Sequence, residues 1–302
     1  GHKPSVVSDH KLWSLVRANI YEETGKTVVL LGASRIHIGF NTDEFRSRFP
    51  DYRLSQLAVS GNSPLATLRD LAEDSQFKGT IICSVTYAML RSDNWSAQQP
   101  FVEHFHHQTG LNSRLERKIA NAVQQRLALK NSRIRLTVVA KHLLIHQKFP
   151  KPFYLRSLPD RSRIADYSSS SKKQLQHRIN KRLRSLVPSP YCSPDIWLQE
   201  AMSVEQYVRK IQSRGGKVIF VRMPVSNQWW ELNEEVAPRV SYWDQFAEKT
   251  SAITVHYQDY ELMKKLYCPD HSHLSRQSAK IFTHLLLDEL EKRKILSSLN
   301  NN

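Results

Sequence analysis

The sequence predicts an α/β protein, a parallel sheet with helices on both faces, interrupted by a basic helical segment. Three observations carry that expectation. Short apolar runs, as in buried strands, alternate with helix-spaced stretches towards both ends of the chain. Glycines and prolines punctuate that alternation where strands and helices meet. Between about residues 100 and 200 the alternation stops and Lys and Arg take over.

Residues 10–24 read as a helix leading into a strand at 27–31, within VVLLGASRIHIGF at 28–40. From Asp43 helical spacing returns, and YRLSQLAVSG brings a second strand to Gly61. Pro64 stands near the start of a helix through about Glu73, where its missing N–H costs little. FKGTIICSV at 77–85 is a third strand candidate, and strand, helix, strand, helix, strand at this spacing implies parallel pairing. In the central segment, RLERKIANAVQQRLALK at 114–130 repeats Leu115, Ile119, Val123 and Leu127 every four residues, the pattern of an amphipathic basic helix. A loop with YSSSS at 167–171 and a second basic helix, KKQLQHRINKRLRSL at 172–186, follow, closed by Pro188, Pro190 and Pro194.

The α/β pattern then resumes with helix MSVEQYVRKIQSRGG, strand KVIFVRMP, a Trp-rich region at Trp229, Trp230 and Trp243, and a strand at ITVHYQD. A final helix is expected from about Arg276 to Lys294, with Ser275 as its N-cap. The simplest organisation is one three-layer, flavodoxin-like domain, its core at about 25–99 and 200–296, split by a basic insertion at about 100–199.

The net charge of +16 is localised. From Arg114 to Arg184 there are 19 Lys and Arg against 3 Asp and Glu, while the rest of the chain carries 25 of each. A field of one sign over about seventy residues predicts docking to an anionic membrane surface or an anionic polymer. Nucleic acid is a poor fit, because no zinc-finger spacing, aromatic RNA-binding motif or recognition helix accompanies the charge. The longest apolar run, LTVVAKHLLI at 136–145, is too short to span a bilayer, so a soluble chain is expected. Gly1-His2 reads as the remnant of a tag, which leaves room for a native signal or anchor upstream. Cys83, Cys192 and Cys268 form no CxxC pair and leave the redox compartment open. HFHHQ, with His104, His106 and His107, lacks a carboxylate or cysteine at a supporting spacing, so no metal is expected.

In an open parallel sheet ligands bind beyond the carboxyl ends of the strands, where Ser34, Gly61 and Thr86 all fall. A serine hydroxyl needs a base to take its proton and an acid to hold the base. In CPDHSHLSR, Asp270 and His273 stand three apart, so one turn presents carboxylate and imidazole together. The amides of Ser34 and Gly61 are candidates to bind a tetrahedral oxyanion. The plain alternative for Ser34 is a helix cap, and for Gly61 a turn glycine.

Gly32-Ala33-Ser34-Arg35 after the first strand, Val59-Ser60-Gly61-Asn62-Ser63 after the second and Asp270-His271-Ser272-His273 before the last helix together resemble the SGNH (GDSL-like) hydrolase superfamily. Ala33 replaces that family's usual aspartate, as in envelope-associated branches such as the one serving D-alanylation of lipoteichoic acid. The third strand ends SVTYAML, without the Gly-x-Asn-Asp block that supplies the family's oxyanion asparagine; Thr86, Asn62 and Asn94 are the candidate replacements. The resemblance covers roughly residues 25–95 and 200–295. It implies Ser34 as nucleophile, His273 as base, Asp270 as orienting acid, and Ser34, Gly61 and Asn62 around the oxyanion. Arg35, Thr86 and Arg222 are candidate substrate contacts, and Trp229 and Trp230 candidate walls of an acyl or sugar pocket.

The activity implied is serine ester hydrolysis or O-acyl transfer on an acylated envelope polysaccharide or lipid-linked substrate, without a metal or organic cofactor. The place implied is the cell envelope, outside the cytoplasm, with the chain anchored through a removed N-terminal segment. A second reading keeps the fold without the catalysis and uses the basic insertion to bind an anionic polymer or an envelope partner.

Overall fold

The computed structural model describes residues 5–21, 26–108, 136–147, 154–185, 192–226 and 228–297. Seven strands are present among them: β1 Thr27–Leu31, β2 Arg53–Gln56, β3 Thr80–Ser84, β4 Leu155–Ser157, β5 Arg163–Ala165, β6 Lys217–Arg222 and β7 Ile253–His256. The first helices are α1 His10–Ala18, α2 Ser34–Gly39, α3 Thr42–Arg48, α4 Leu65–Glu73 and α5 Gln99–Gln108. After them come α6 Leu136–His146, α7 Lys172–Ser185, α8 Pro194–Ala201, α9 Glu205–Gln212, α10 Gln228–Val236, α11 Trp243–Lys249, α12 Glu261–Lys264 and α13 Arg276–Lys292. The predicted basic helix at 114–130 lies outside the described residues.

The main sheet has strand order β2-β1-β3-β6-β7 and every pair is parallel, the flavodoxin-like arrangement in three layers. Side chains alternate across it. Val29, Leu31, Ile81, Cys83, Val218 and Phe220 pack beneath α1, α4, α8, α9 and α11 through Trp13, Leu68, Trp197, Ile211 and Phe246. Val28, Leu30, Ile82, Ile219 and Val221 meet Ile36 of α2, Phe45 of α3, Met263 of α12 and Phe282, Leu286 and Leu290 of α13. Both faces are therefore dry, which is why the strands read as unbroken apolar runs. Each large side chain so buried contributes about 1.5–3 kcal/mol of transfer free energy.

Several predicted boundaries shift for local reasons. The first helix stops at Ala18 rather than near residue 24, because the Asn19 amide turns back to donate to the Leu15 carbonyl at 3.0 Å. A short helix, α2, precedes the one expected from Asp43. The second strand ends at Gln56, not Gly61. Beyond it Leu57 and Val59 still donate to the Leu30 and Gly32 carbonyls at 3.0 Å each, but the outward carbonyls of Gln56 and Ala58 accept from Arg161 Nη1 and Nη2 at 2.5 and 3.0 Å.

Arg161 belongs to the antiparallel hairpin β4–β5, which lies inside the segment expected to be helical. Its guanidinium, 1% exposed, covers the open edge of the sheet, and its Nε donates to Ser8 Oγ at 3.2 Å. Burial, reinforced by the Arg163 charge, pushes Arg161 down to about 9. Also within that segment, α5 packs Phe101 and Phe105 around Trp13, and α8 buries Trp197 in the core. No described helix is long and apolar enough to cross a membrane.

Candidate active site

The site starts from a turn that only glycine fits. Gly32 has φ +136°, and a Cβ there would stand 2.8 Å from both the Ser84 carbonyl oxygen and Ile36 Cγ2. The chain therefore leaves β1 sharply and enters α2 at Ser34, directly over the end of the sheet. Ser34 does not cap this helix. The N-cap is Ala33, without a side-chain hydrogen bond, and the Ser34 hydroxyl is directed elsewhere. It lies 2.7 Å from His273 Nε2.

His273 is placed by the turn that the CPDHSH sequence forms. Asp270 is fully buried and accepts the backbone N–H groups of Ser272 and His273 at 3.2 and 2.8 Å. Its second oxygen stands 3.1 Å from His273 Nδ1. Because an ionised carboxylate only accepts, it fixes the ring proton on Nδ1 and leaves Nε2 as the acceptor for the Ser34 hydroxyl. The turn is tied down on both sides. His271, at φ +64°, donates to the Cys268 carbonyl at 2.8 Å and accepts the Ser226 N–H at 3.1 Å, and Ser275 caps α13 by accepting the Ser278 N–H at 3.1 Å. His273 is 5% exposed, so hydroxyl, imidazole and carboxylate form a short relay with only its serine end half-open to solvent.

Gly61 sits in the turn after β2 with φ +89°, exposed, with nothing within 4 Å of where a Cβ would be. Among the described residues, neither the Ser34 nor the Gly61 amide is spent on another protein group. Asn62 is turned away: its backbone N–H closes the turn onto the Val59 carbonyl and its side-chain amide donates to the Ala97 carbonyl at 2.7 Å. Asn94 is likewise occupied, by Ala88 and Asp93. Of the three candidate replacements for the missing asparagine, Thr86 alone has an uncommitted side chain among the described residues. Beside Gly61, Ser60 accepts from Arg163 Nη1 at 2.9 Å and stands 3.2 Å from His37 Nδ1, while His37 Nε2 donates to the Arg161 carbonyl. This chain locks the Gly61 turn to α2 and to the hairpin. Burial first, then the charges of Arg161 and Arg163, hold His37 well below its ordinary value, so it is a neutral strut.

The candidate substrate contacts divide. Arg35 lies against the His273 turn, with Nε 3.4 Å from Ser272 Oγ and its guanidinium 5.8 Å from the Trp229 ring centre. Thr86 and Arg222 line a cavity of about 30 Å3 walled by Trp197, Trp230, Tyr242 and Trp243, with His256 beside Arg222. Burial lowers Arg222 from its ordinary value, and burial with the Arg222 and Arg239 charges pulls His256 down to about 2. Sequence reasoning missed His37, Arg161 and His256. For His37 and His256 the one available signal was a histidine set in an apolar run, and Arg161 carried none.

Cys268 is buried and pushed up to about 12, by burial first and then by Asp270, which makes it a poor nucleophile. His104 bonds Ser14 and His106 bonds Asp70. Among the described residues no three His, Cys, Asp or Glu side chains converge as metal ligands.

No protein-family model and no curated protein matches the chain. A solved structure titled "Crystal Structure of TesA" is similar over 88% of this chain and 98% of its own, at 12% identity and a TM-score of 0.39, a likeness too distant to bear on chemistry.

Proposed function

We propose that the chain is an SGNH-like serine esterase or O-acyltransferase. The observation that carries this reading is the relay from Ser34 Oγ to His273 Nε2, 2.7 Å, and from His273 Nδ1 to Asp270, 3.1 Å, at the carboxyl rim of a parallel sheet. In the reaction His273 takes the Ser34 proton as Oγ attacks the acyl carbonyl, and Asp270 steadies the resulting imidazolium. The Ser34 and Gly61 amides face the oxyanion, and Thr86 is the available side-chain donor in place of asparagine. His273 then gives the proton to the departing alkoxide, leaving an acyl-Ser34. Water or a sugar hydroxyl, deprotonated by His273, takes the acyl group and restores the hydroxyl. Hydrolysis and transfer use the same residues.

The substrate proposed is an acyl ester of an envelope polysaccharide or a lipid-linked carrier, met outside the cytoplasm. Support comes from the resemblance of the sequence blocks and from the basic segment, of which α7 exposes Lys172, Lys173 and Lys181. Attraction of that kind is screened by salt. Co-sedimentation with phosphatidylglycerol vesicles is expected at low salt and lost as salt rises, with no binding to phosphatidylcholine. Equal binding to both lipids removes the membrane arm of the proposal.

A non-catalytic reading draws on one observation: the amides of Asn62 and Asn94 are both spent, so neither candidate asparagine serves the oxyanion. A fluorophosphonate probe with mass-spectrometric mapping decides between the two. A single adduct on Ser34 is the result expected of the enzyme. An unmodified protein under conditions that label a control serine hydrolase leaves only the binding module.

A further inference from the structure

Arg222 closes β6 with its side chain 6% exposed. Nη2 donates to Asn233 Oδ1 at 3.0 Å, whereas Nη1 is buried without a hydrogen-bond partner among the described residues. A buried guanidinium N–H left unmade is a standing cost, and natural interiors keep such a group when something else completes it. The other charged residues lining the same cavity are already committed. Arg239 pairs with Asp244 and Asp259 at 2.9 and 2.6 Å, and Glu234 accepts the Arg239 backbone N–H at 3.3 Å.

His256 stands next to Arg222 across the β6–β7 register. Its Nδ1 accepts the Gln258 N–H at 3.1 Å, so the neutral ring carries its proton on Nε2 as a second donor. Of the wall donors, Trp197 Nε1 donates away to the Tyr87 carbonyl and the Tyr242 hydroxyl donates to the Cys192 carbonyl, while the carboxylate in the lining, Glu234, accepts the Arg239 backbone N–H. The cavity thus combines a cation and a neutral donor with aromatic faces, in a volume of about 30 Å3. That admits a small planar group on a hydrocarbon stem and excludes a sugar ring. A carboxylate matches both the forked guanidinium and the flat walls, whereas a tetrahedral oxyanion matches the fork but not the walls.

The cavity belongs to the same rim as Ser34. Thr86, in its lining, follows β3, whose Ser84 carbonyl abuts the Gly32 turn that launches Ser34. On the other side Arg35, next to Ser34, lies against Trp229, whose neighbour Trp230 walls the cavity.

We propose that this cavity is a carboxylate-recognition site built on Arg222 and His256, and that the ester processed at Ser34 bears a carboxylate on the part seated there. The second half rests on the reading of Ser34 as the nucleophile; the first half stands without it.

Binding is measured by titrating the whole chain with butyrate, butyramide and inorganic phosphate while following tryptophan fluorescence, since three tryptophans line the cavity. Butyrate is expected to saturate at least about 10-fold more tightly than butyramide, the equivalent of one charge-assisted hydrogen bond. Arg222→Gln is expected to erase that difference. The wild-type comparison needs no variant, so a folding defect in Arg222→Gln does not blunt it. Equal affinity for butyrate and butyramide, no saturation by butyrate, or tighter binding of phosphate overturns the carboxylate site.

Turnover of 4-nitrophenyl butyrate and of mono-4-nitrophenyl glutarate tests the second half. A higher kcat/KM for the glutarate ester supports it, and turnover of both esters without that preference overturns it. Butyrate binding with neither ester hydrolysed leaves the carboxylate site standing and removes the nucleophile reading instead.

Discussion

Ser34→Ala is expected to lower ester turnover by about 10^4- to 10^6-fold while leaving the fold in place. The size follows from the chemistry: without Oγ there is no acyl-enzyme, and only the oxyanion donors and substrate binding remain to accelerate attack by water. The harmlessness to folding follows from geometry. Oγ is half-exposed and its hydrogen bond is to His273 Nε2, so its loss leaves one imidazole nitrogen to be met by water, a cost of about 1 kcal/mol. Steady-state rates on 4-nitrophenyl acetate and a thermal melt, taken on the same preparation, check both halves. Unchanged turnover in a Ser34→Ala protein with a native melt would transfer any activity to another group and end the serine reading.

Acidification is the second large effect: stability is expected to drop by about 4 kcal/mol between pH 7.5 and pH 5. His37 and His256 are both buried, the first 1% and the second 2% exposed, and burial with nearby arginine charge holds each below its ordinary value. In the unfolded chain both take up a proton as the pH falls through about 6.5; in the folded chain neither does. The unfolded state then binds more protons, so stability is full above that pH and falls by about 1.4 kcal/mol per unit and per histidine below it. Carboxylates do not blur this window. Glu205 is buried and Asp74 and Asp160 are half-buried, but hydrogen bonds and neighbouring arginines outweigh burial and hold all three below the usual carboxylate range, so their contribution is lost only at lower pH. Urea unfolding at half-unit steps of pH measures the slope, and a flat profile from pH 7.5 to pH 5 would show that the two imidazoles are not held neutral.

The sheet is legible in the sequence because β1, β3 and β6 are buried on both faces and so advertise themselves as apolar runs. Of the site, the residues that meet at the rim are legible as well, since Ser34 follows a strand and Asp270 and His273 share one turn; their catalytic role remains a proposal. What is not legible depends on distant partners. Arg161 reads as one more basic residue until it is seen capping carbonyls more than a hundred positions earlier. The same holds for His37, whose neutral state is set by burial first and then by the charges of that arginine and Arg163, and for the side chain of Asn62, whose direction is decided by the Ala97 carbonyl. The length of β2 and the β4–β5 hairpin are two sides of one long-range contact, so a local pattern could show neither.

The hydroxyl and the imidazole that meet at the rim are separated by 239 positions along the chain. Contacts of such high order form late, after the entropy of closing the intervening chain has been met by the packing of the sheet and its last helix. During synthesis the amino-terminal strands therefore leave the ribosome before the imidazole that meets Ser34 has been made, and the pair forms only when the 270–273 turn reaches the rim. On the proposed reading of Ser34 as nucleophile, a chain cut short before His273 lacks the base and is expected to show no ester turnover.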